Sequence, residues 1–148
     1  MKKYLIIGNG VAGTTAAQEI RKNDPDGTIT LLTSESIPYY SRIRLPDFVT
    51  GTIDKTDLII NKENWYTDNN IDLKTGVTIT GIDNEKKSAT DQNGNLFEYD
   101  ALLIATGSNS FVPPIAGCDK NNVFTLRTFE DAVSISNASA TAKHAVVI

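Results

Sequence analysis

At 148 residues, with 40% hydrophobic and 22% charged side chains, the chain is long enough to close a core and has ordinary globular composition. A net charge of −4 leaves no basic surface for nucleic acid, and no run approaches the roughly 18 consecutive apolar residues of a membrane span. The single cysteine, Cys118, excludes an intramolecular disulfide and a CxxC metal site, so no metal is expected and the cytoplasm is the default location.

The start, Met1-Lys2-Lys3-Tyr4, has the flavour of a signal peptide, but its apolar run stops at Gly8 and turns into glycines. Tyr4-Leu5-Ile6-Ile7 reads as a strand, Gly8-Asn9-Gly10-Val11-Ala12-Gly13 as a turn, and Thr14 to Arg21 as a helix. That order suits a dinucleotide diphosphate. Gly8 permits the tight turn, Gly10 lets backbone approach the phosphates, and Gly13 lets the helix lie close to the strand. The amides of Gly10, Val11, Ala12 and Gly13 then face the anion with the helix dipole behind them. A glycine turn with a structural duty alone is the competing reading; the position between strand and helix favours the diphosphate.

Asn23-Asp24-Pro25-Asp26-Gly27 is a turn cluster, and Thr28 to Thr33 is a β-branched strand, completing a βαβ unit with parallel strands. Glu35 stands about twenty residues beyond the glycines, where such folds place a carboxylate on a ribose 2′-hydroxyl. A solvated loop glutamate is the plainer alternative. Ser34, its neighbour, offers a second polar contact. In the irregular stretch that follows, Arg42 and Arg44 lie near Tyr39 and Tyr40, and a guanidinium there could grip a diphosphate in bidentate fashion. A short helix to Val49 is expected, then another capped by Asn61 that carries Glu63, Trp65 and Tyr66, with Trp65 in the core.

Ile71-Asp72-Leu73 is short and extended, Val77 to Ile82 alternates with period two, and Lys87–Thr90 and Leu96–Tyr99 flank the Asn93-Gly94 turn. Short turns between strands predict an antiparallel meander attached to the parallel sheet. Ala101-Leu102-Leu103-Ile104-Ala105 is continuously apolar, as a central parallel strand covered on both faces would be, and ends in Thr106-Gly107 at the ligand-binding end. Phe111 to Gly117 is a stiff connector, and Val123 to Arg127 is expected to be extended. Thr128 caps a predicted helix from Phe129 to about Asn137, with Glu130 and Asp131 in its first turn. His144, the only histidine, reads as a strand-edge residue leading into a final strand, Ala145–Ile148. The expected class is therefore α/β: a Rossmann-like parallel sheet with helices and an inserted antiparallel meander, incomplete and cut from a larger protein.

Taken together, the glycine loop, Ser34-Glu35, Tyr40-Ser41-Arg42 with Leu45, Tyr99 to Gly107, and Leu126-Arg127-Thr128 with Asp131-Ala132 resemble the FAD-dependent pyridine nucleotide oxidoreductases. The likeness is strongest to the rubredoxin reductase, nitrite reductase large-subunit and apoptosis-inducing-factor branch. It implies FAD diphosphate on the glycine loop, the adenosine ribose on Glu35, and the adenine edge against the backbone of Ile79. It further implies that Ala105-Thr106-Gly107 closes over the cofactor, Arg42 lies by the phosphates or flavin, and Arg127 reaches the flavin side. Residues 1–110 would be the N-terminal segment of the FAD-binding domain. Residues 111–148 would be a connector and the first strand of an NAD(P)H-binding domain lying mostly outside this sequence.

The implied activity is electron transfer from NAD(P)H through FAD to a redox partner, rubredoxin or a fused nitrite reductase haem domain, with no catalytic side chain required. A chain cut this way would hold FAD weakly and associate with its own copies through the exposed strand. Three features depart from the family pattern: no early cysteine pair is present, no cysteine lies near Arg42 where single-cysteine NADH oxidases place theirs, and Asp47 stands where several members have lysine. The rival readings are a non-catalytic nucleotide-binding module and the NAD-binding domain of an ordinary dehydrogenase; the meander and the Ala-Thr-Gly strand end speak against the latter.

Overall fold

The computed structural model describes residues 1–148, which divide into two compact units: Met1–Tyr40 with Ile59–Gly107, and Ser41–Leu58 with Ser108–Ile148.

The first unit is built on β1 (Lys3–Ile7), α1 (Val11–Asn23) and β2 (Thr28–Leu32), with β1 and β2 parallel and Lys3 opposite Thr28. After β2 the chain of this unit resumes in α4 (Glu63–Asp68) and β3 (Ile71–Lys74), and β3 adds to β2 in parallel. The short extended stretch Ile71–Leu73 thus belongs to the parallel sheet and not to the meander that follows it. A parallel partner needs a crossover, and the segment carrying α4 provides it. The predicted cap is also displaced: Lys62, not Asn61, holds the N-cap position, without a side-chain hydrogen bond.

The meander consists of β4 (Ile79–Asp83), β5 (Ser88–Asp91) and β6 (Leu96–Glu98), antiparallel throughout. Finally β7 (Ala101–Ile104) pairs in parallel with β1, giving the order β3-β2-β1-β7. The sequence suggested a central position for β7, yet it is the edge strand. No strand of this chain covers its outer side, and Ile104 is 59% exposed.

Alternation along β1 explains how both faces are sealed. On one face Ile6 joins Ala17 of α1, Ile29 and Leu31 of β2, Tyr66 and Ile71, flanked by Tyr4, Ile20, Trp65 and Leu73. On the other Leu5 joins Leu32, Ala89 and Tyr99, flanked by Val77, Ile79, Phe97 and Leu102 of the meander and β7. Each buried Leu or Ile contributes roughly 1.5–3 kcal/mol relative to exposure. Trp65 thus packs at the core's margin, while its neighbour Tyr66 is the buried ring, edge-on to the indole at 4.9 Å. Arg21 ties the end of α1 to the turn before β3. Its guanidinium donates to the carbonyls of Asn69 (2.9 Å), Asn70 (2.8 Å), Pro25 (2.7 Å) and Asp24 (3.2 Å).

The second unit holds a 3-10 turn at Arg42–Arg44, α2 (Leu45–Val49), α3 (Lys55–Leu58) and α5 (Phe129–Ser139). α2 meets α5 through Phe48 and Phe129, whose ring centroids are 5.2 Å apart, and the Lys55 ammonium lies 5.3 Å from the Phe129 centroid. Leu45, Leu58 and Ala132 are fully buried. The predicted Thr128 cap is present as a complete capping box: Thr128 Oγ1 accepts from the Asp131 N–H, and Asp131 Oδ2 accepts from the Thr128 N–H. Two predicted strands are not formed. Val123–Arg127 joins no ladder, and residues 145–148 lack a pairing partner, with Val147 96% exposed. His144 therefore edges no strand and is exposed.

Candidate nucleotide site

The C-terminal ends of β1, β2 and β7 bring the glycine loop, Ser34-Glu35 and Ala105-Thr106-Gly107 to one edge of the parallel sheet. The three glycines differ in what they face. Gly8 has φ +117°, and a side chain there would put Cβ 2.1 Å from the Ala105 carbonyl oxygen. Its amide donates to the Leu32 carbonyl at 2.8 Å, so the turn is fastened to both neighbouring strands. At Gly13 a Cβ would fall 1.9 Å from the Gly8 carbonyl oxygen and 3.3 Å from Ile6 Cγ2. Gly10 is the opposite case: a Cβ would meet nothing within 4 Å. Gly8 and Gly13 are thus required by the fold itself, whereas Gly10 lines open space at the start of a helix.

That helix start is undressed. Gly10 holds the N-cap position of the 13-residue α1 with no side-chain cap, and no acidic residue sits in the first turn. In α5, by contrast, a capping box and two acidic residues satisfy the same end. The opening amides of α1, with the positive end of its dipole, suit an anion. Val11 and Ala12 begin the helix on the surface, Val11 68% exposed.

Glu35 follows β2 and is half-buried, with Ser34 exposed beside it. The Tyr40 hydroxyl donates to Glu35 Oε2 at 2.5 Å, which fixes one side of the carboxylate. The Glu35 backbone carbonyl accepts from the Gly76 N–H, and the Thr33 carbonyl from Val77. Thr78 engages both its N–H and C=O with Gln92, so in extended backbone the polar groups of Ile79 turn toward the open edge of the three-stranded sheet, the side Val77 uses to reach Thr33. At the end of β7, Ala105 donates to the Ile7 carbonyl at 2.8 Å, and Gly107 takes φ +74°.

Arg42 and Arg127 belong to the second unit and meet there. Arg42 Nη1 donates to the Arg127 carbonyl at 2.9 Å, Arg127 Nε to the Ser108 carbonyl at 3.0 Å, and the Arg127 N–H to Asp131. Asp47 lies 3.6 Å from Arg44 as an exposed pair.

Two residues escaped the sequence reading. The side-chain carbonyl of Asn9 accepts from the Tyr66 hydroxyl at 3.0 Å, and that hydroxyl accepts from the Tyr39 N–H at 3.1 Å. Burial pushes the Tyr66 hydroxyl above the usual tyrosine range. Asn9 Nδ2 is buried without a partner. A polar residue at the variable position of the glycine motif was the only available signal; nothing distinguishes Tyr66 from an ordinary core aromatic.

The profile of the pyridine nucleotide-disulphide oxidoreductases matches residues 2–148. The chain belongs to this family. It is 37% identical over 148 residues to a nitrite reductase [NAD(P)H] of Bacillus subtilis, covering 99% of this chain and 18% of the relative. It is 41% identical over 139 residues to an NADH oxidase of Methanocaldococcus jannaschii, covering 90% and 31%. Among solved structures, NADH:rubredoxin oxidoreductase of Clostridium acetobutylicum superposes with a TM-score of 0.82 at 33% identity, covering 92% of this chain and 35% of the other. The chain therefore spans less than two fifths of these relatives. The oxidoreductase branch and α/β class expected from the residues are the ones found. No helix is long and apolar enough to cross a membrane.

Proposed function

We propose that the chain is the FAD-binding part of an NAD(P)H-dependent flavoprotein oxidoreductase that delivers electrons to a redox partner such as rubredoxin or a nitrite reductase haem domain. The observation carrying this reading is the open space at Gly10, at the uncapped start of α1, between two glycines that the fold cannot replace. Family membership and relatives named for NAD(P)H, rubredoxin and nitrite support the chemistry. The residues fit the cofactor: the amides of Gly10 to Gly13 receive the diphosphate, and Glu35, oriented by Tyr40, accepts from the adenosine ribose with Ser34 beside it. Ile79 presents backbone to the adenine edge, and Ala105-Thr106-Gly107 borders the site. Arg42 and Arg127, joined within the second unit, keep the cationic role toward the anionic cofactor that the resemblance gives them. FAD supplies an isoalloxazine that accepts a hydride from NAD(P)H and releases electrons singly. This chain binds and orients; no side chain in it has to carry a proton. Its lone Cys118, without a disulfide partner, supports a cytoplasmic setting.

The test is an absorbance spectrum of the intact protein that contains this chain. A flavin band near roughly 450 nm that bleaches on adding NADH or NADPH is expected. A colourless protein that binds NADH tightly would favour a dehydrogenase domain. A flavin that neither nicotinamide reduces would favour a non-catalytic module.

A further inference from the structure

The nucleotide-facing loop is held by a residue far from it in sequence. Tyr66 lies on α4 with its ring in the core and its hydroxyl between two loops. That hydroxyl has one proton and two lone pairs. It accepts from the Tyr39 N–H at 3.1 Å, so its proton is directed to Asn9 Oδ1 at 3.0 Å. Burial holds the hydroxyl above its usual range, so it remains a donor at neutral pH, and the Asn9 side-chain carbonyl is the acceptor it meets. The carboxamide must then aim Nδ2 away, and there it finds no acceptor. An orphaned buried donor is costly, so the loop is kept in a conformation it would not choose for its own hydrogen bonds.

The other end of the relay is anchored too. The Tyr39 carbonyl accepts from the Ile60 and Asn61 amides, and Tyr40 bridges to Ile59, just upstream of α4. Tyr40 is also the residue whose hydroxyl holds Glu35. One dipeptide, Tyr39-Tyr40, is therefore joined to both gripping points: to the glycine loop through Tyr66 and Asn9, and to the carboxylate directly.

We propose that Tyr66 and Asn9 are positioning residues for nucleotide binding, a clamp that fixes the glycine loop for the diphosphate. This rests on the nucleotide-site reading above and adds residues that the glycine motif itself does not contain. The clamp acts on the loop and leaves the sugar contact to Glu35, so its loss must separate ligands that carry a diphosphate from those that do not.

The experiment titrates ADP and adenosine separately into the intact protein that contains this chain, freed of its cofactor, and into its Tyr66→Phe, Asn9→Ala and double variants. Thermal unfolding of each ligand-free form is recorded alongside. Both single variants lose the Tyr66–Asn9 hydrogen bond, and Tyr66→Phe also loses the one from the Tyr39 N–H; ADP affinity is expected about fivefold to tenfold weaker in each, with adenosine affinity changed less than about twofold. The double variant is expected to match Tyr66→Phe, because Asn9→Ala removes only a link that Tyr66→Phe has already broken. Equal losses for ADP and adenosine, or no loss for ADP, overturn the clamp while leaving the site intact. An intact wild-type protein that, freed of its cofactor, binds neither ligand overturns the nucleotide-site reading itself, and the clamp with it. Should Tyr66→Phe unfold, Asn9→Ala, at a partly exposed loop position, answers the same question.

Discussion

Alanine at Gly10 and at Gly13 should have opposite consequences. At Gly13 the new methyl would lie 1.9 Å from the Gly8 carbonyl oxygen, over an ångström closer than real Cβ atoms approach, and the obstacle is backbone. The start of α1 must lift from β1, opening the packing of Ile6 and Ala17. Overpacking of this kind costs about 1–3 kcal/mol, a fall of about 3–10 °C in melting midpoint for a chain this long. At Gly10 nothing stands within 4 Å and the backbone is extended, with φ −101° and ψ −165°. Alanine there gains about 0.4–1 kcal/mol from unfolded-chain entropy but is a poorer N-cap than glycine by a similar amount, so stability should stay within about 1 kcal/mol of the wild type. It also occupies the space proposed for the diphosphate, so ADP affinity should fall by about a hundredfold or more, the equivalent of roughly 3 kcal/mol. Thermal circular dichroism and ADP titration on both variants provide the check. A Gly10→Ala chain that binds ADP like the wild type, or a Gly13→Ala chain as stable as the wild type, would refute the division of labour among the glycines.

Other outcomes follow from the same geometry. Glu35→Gln should weaken adenosine and ADP alike by about tenfold, through loss of charge-assisted hydrogen bonds, and should narrow the preference over 2′-phosphorylated ADP; competition titration reads both. Arg21→Lys should destabilise the chain by about 1.5–3 kcal/mol in urea unfolding, because an ammonium cannot reproduce the fork that reaches four carbonyls. In acid, Asp91 matters. The Asn95 side-chain amide and the amides of Asn95, Asn93 and Gly94 hold its carboxyl below the usual range. The native chain therefore takes up this proton less readily than the unfolded one. The stabilisation is complete above about pH 4 and is lost as pH falls through the lowered native value. Urea midpoints between about pH 6 and pH 3 should fall steeply in the wild type and less steeply in Asp91→Asn.

What could be read beforehand was what local chemistry decides. The glycine loop, the β-branched Thr28–Leu32 and the Thr128–Asp131 cap each carry their own instructions, and the structure has them where expected. What was left open or misread depends on partners. Four residues at Ile71–Lys74 do not reveal which sheet they join, and apolar continuity in Ala101–Ile104 does not reveal that one side lacks a neighbour. Val146, Val147 and Ile148 have the composition of a strand but no partner to supply ladder hydrogen bonds. Spacing singled out the glycines and Glu35, and the structure brings them to one edge of the parallel sheet. The Tyr66–Asn9 link was not legible, because it joins residues 57 apart and rests on a hydroxyl that looks like any core tyrosine.

Chemical-shift mapping of the ¹⁵N-labelled chain with ADP tests the site most directly, residue by residue. The amides of Gly10, Val11, Ala12 and Gly13, with those around Glu35, should move most and saturate together. Saturable binding whose shifts fall elsewhere and leave these amides still would contradict the account.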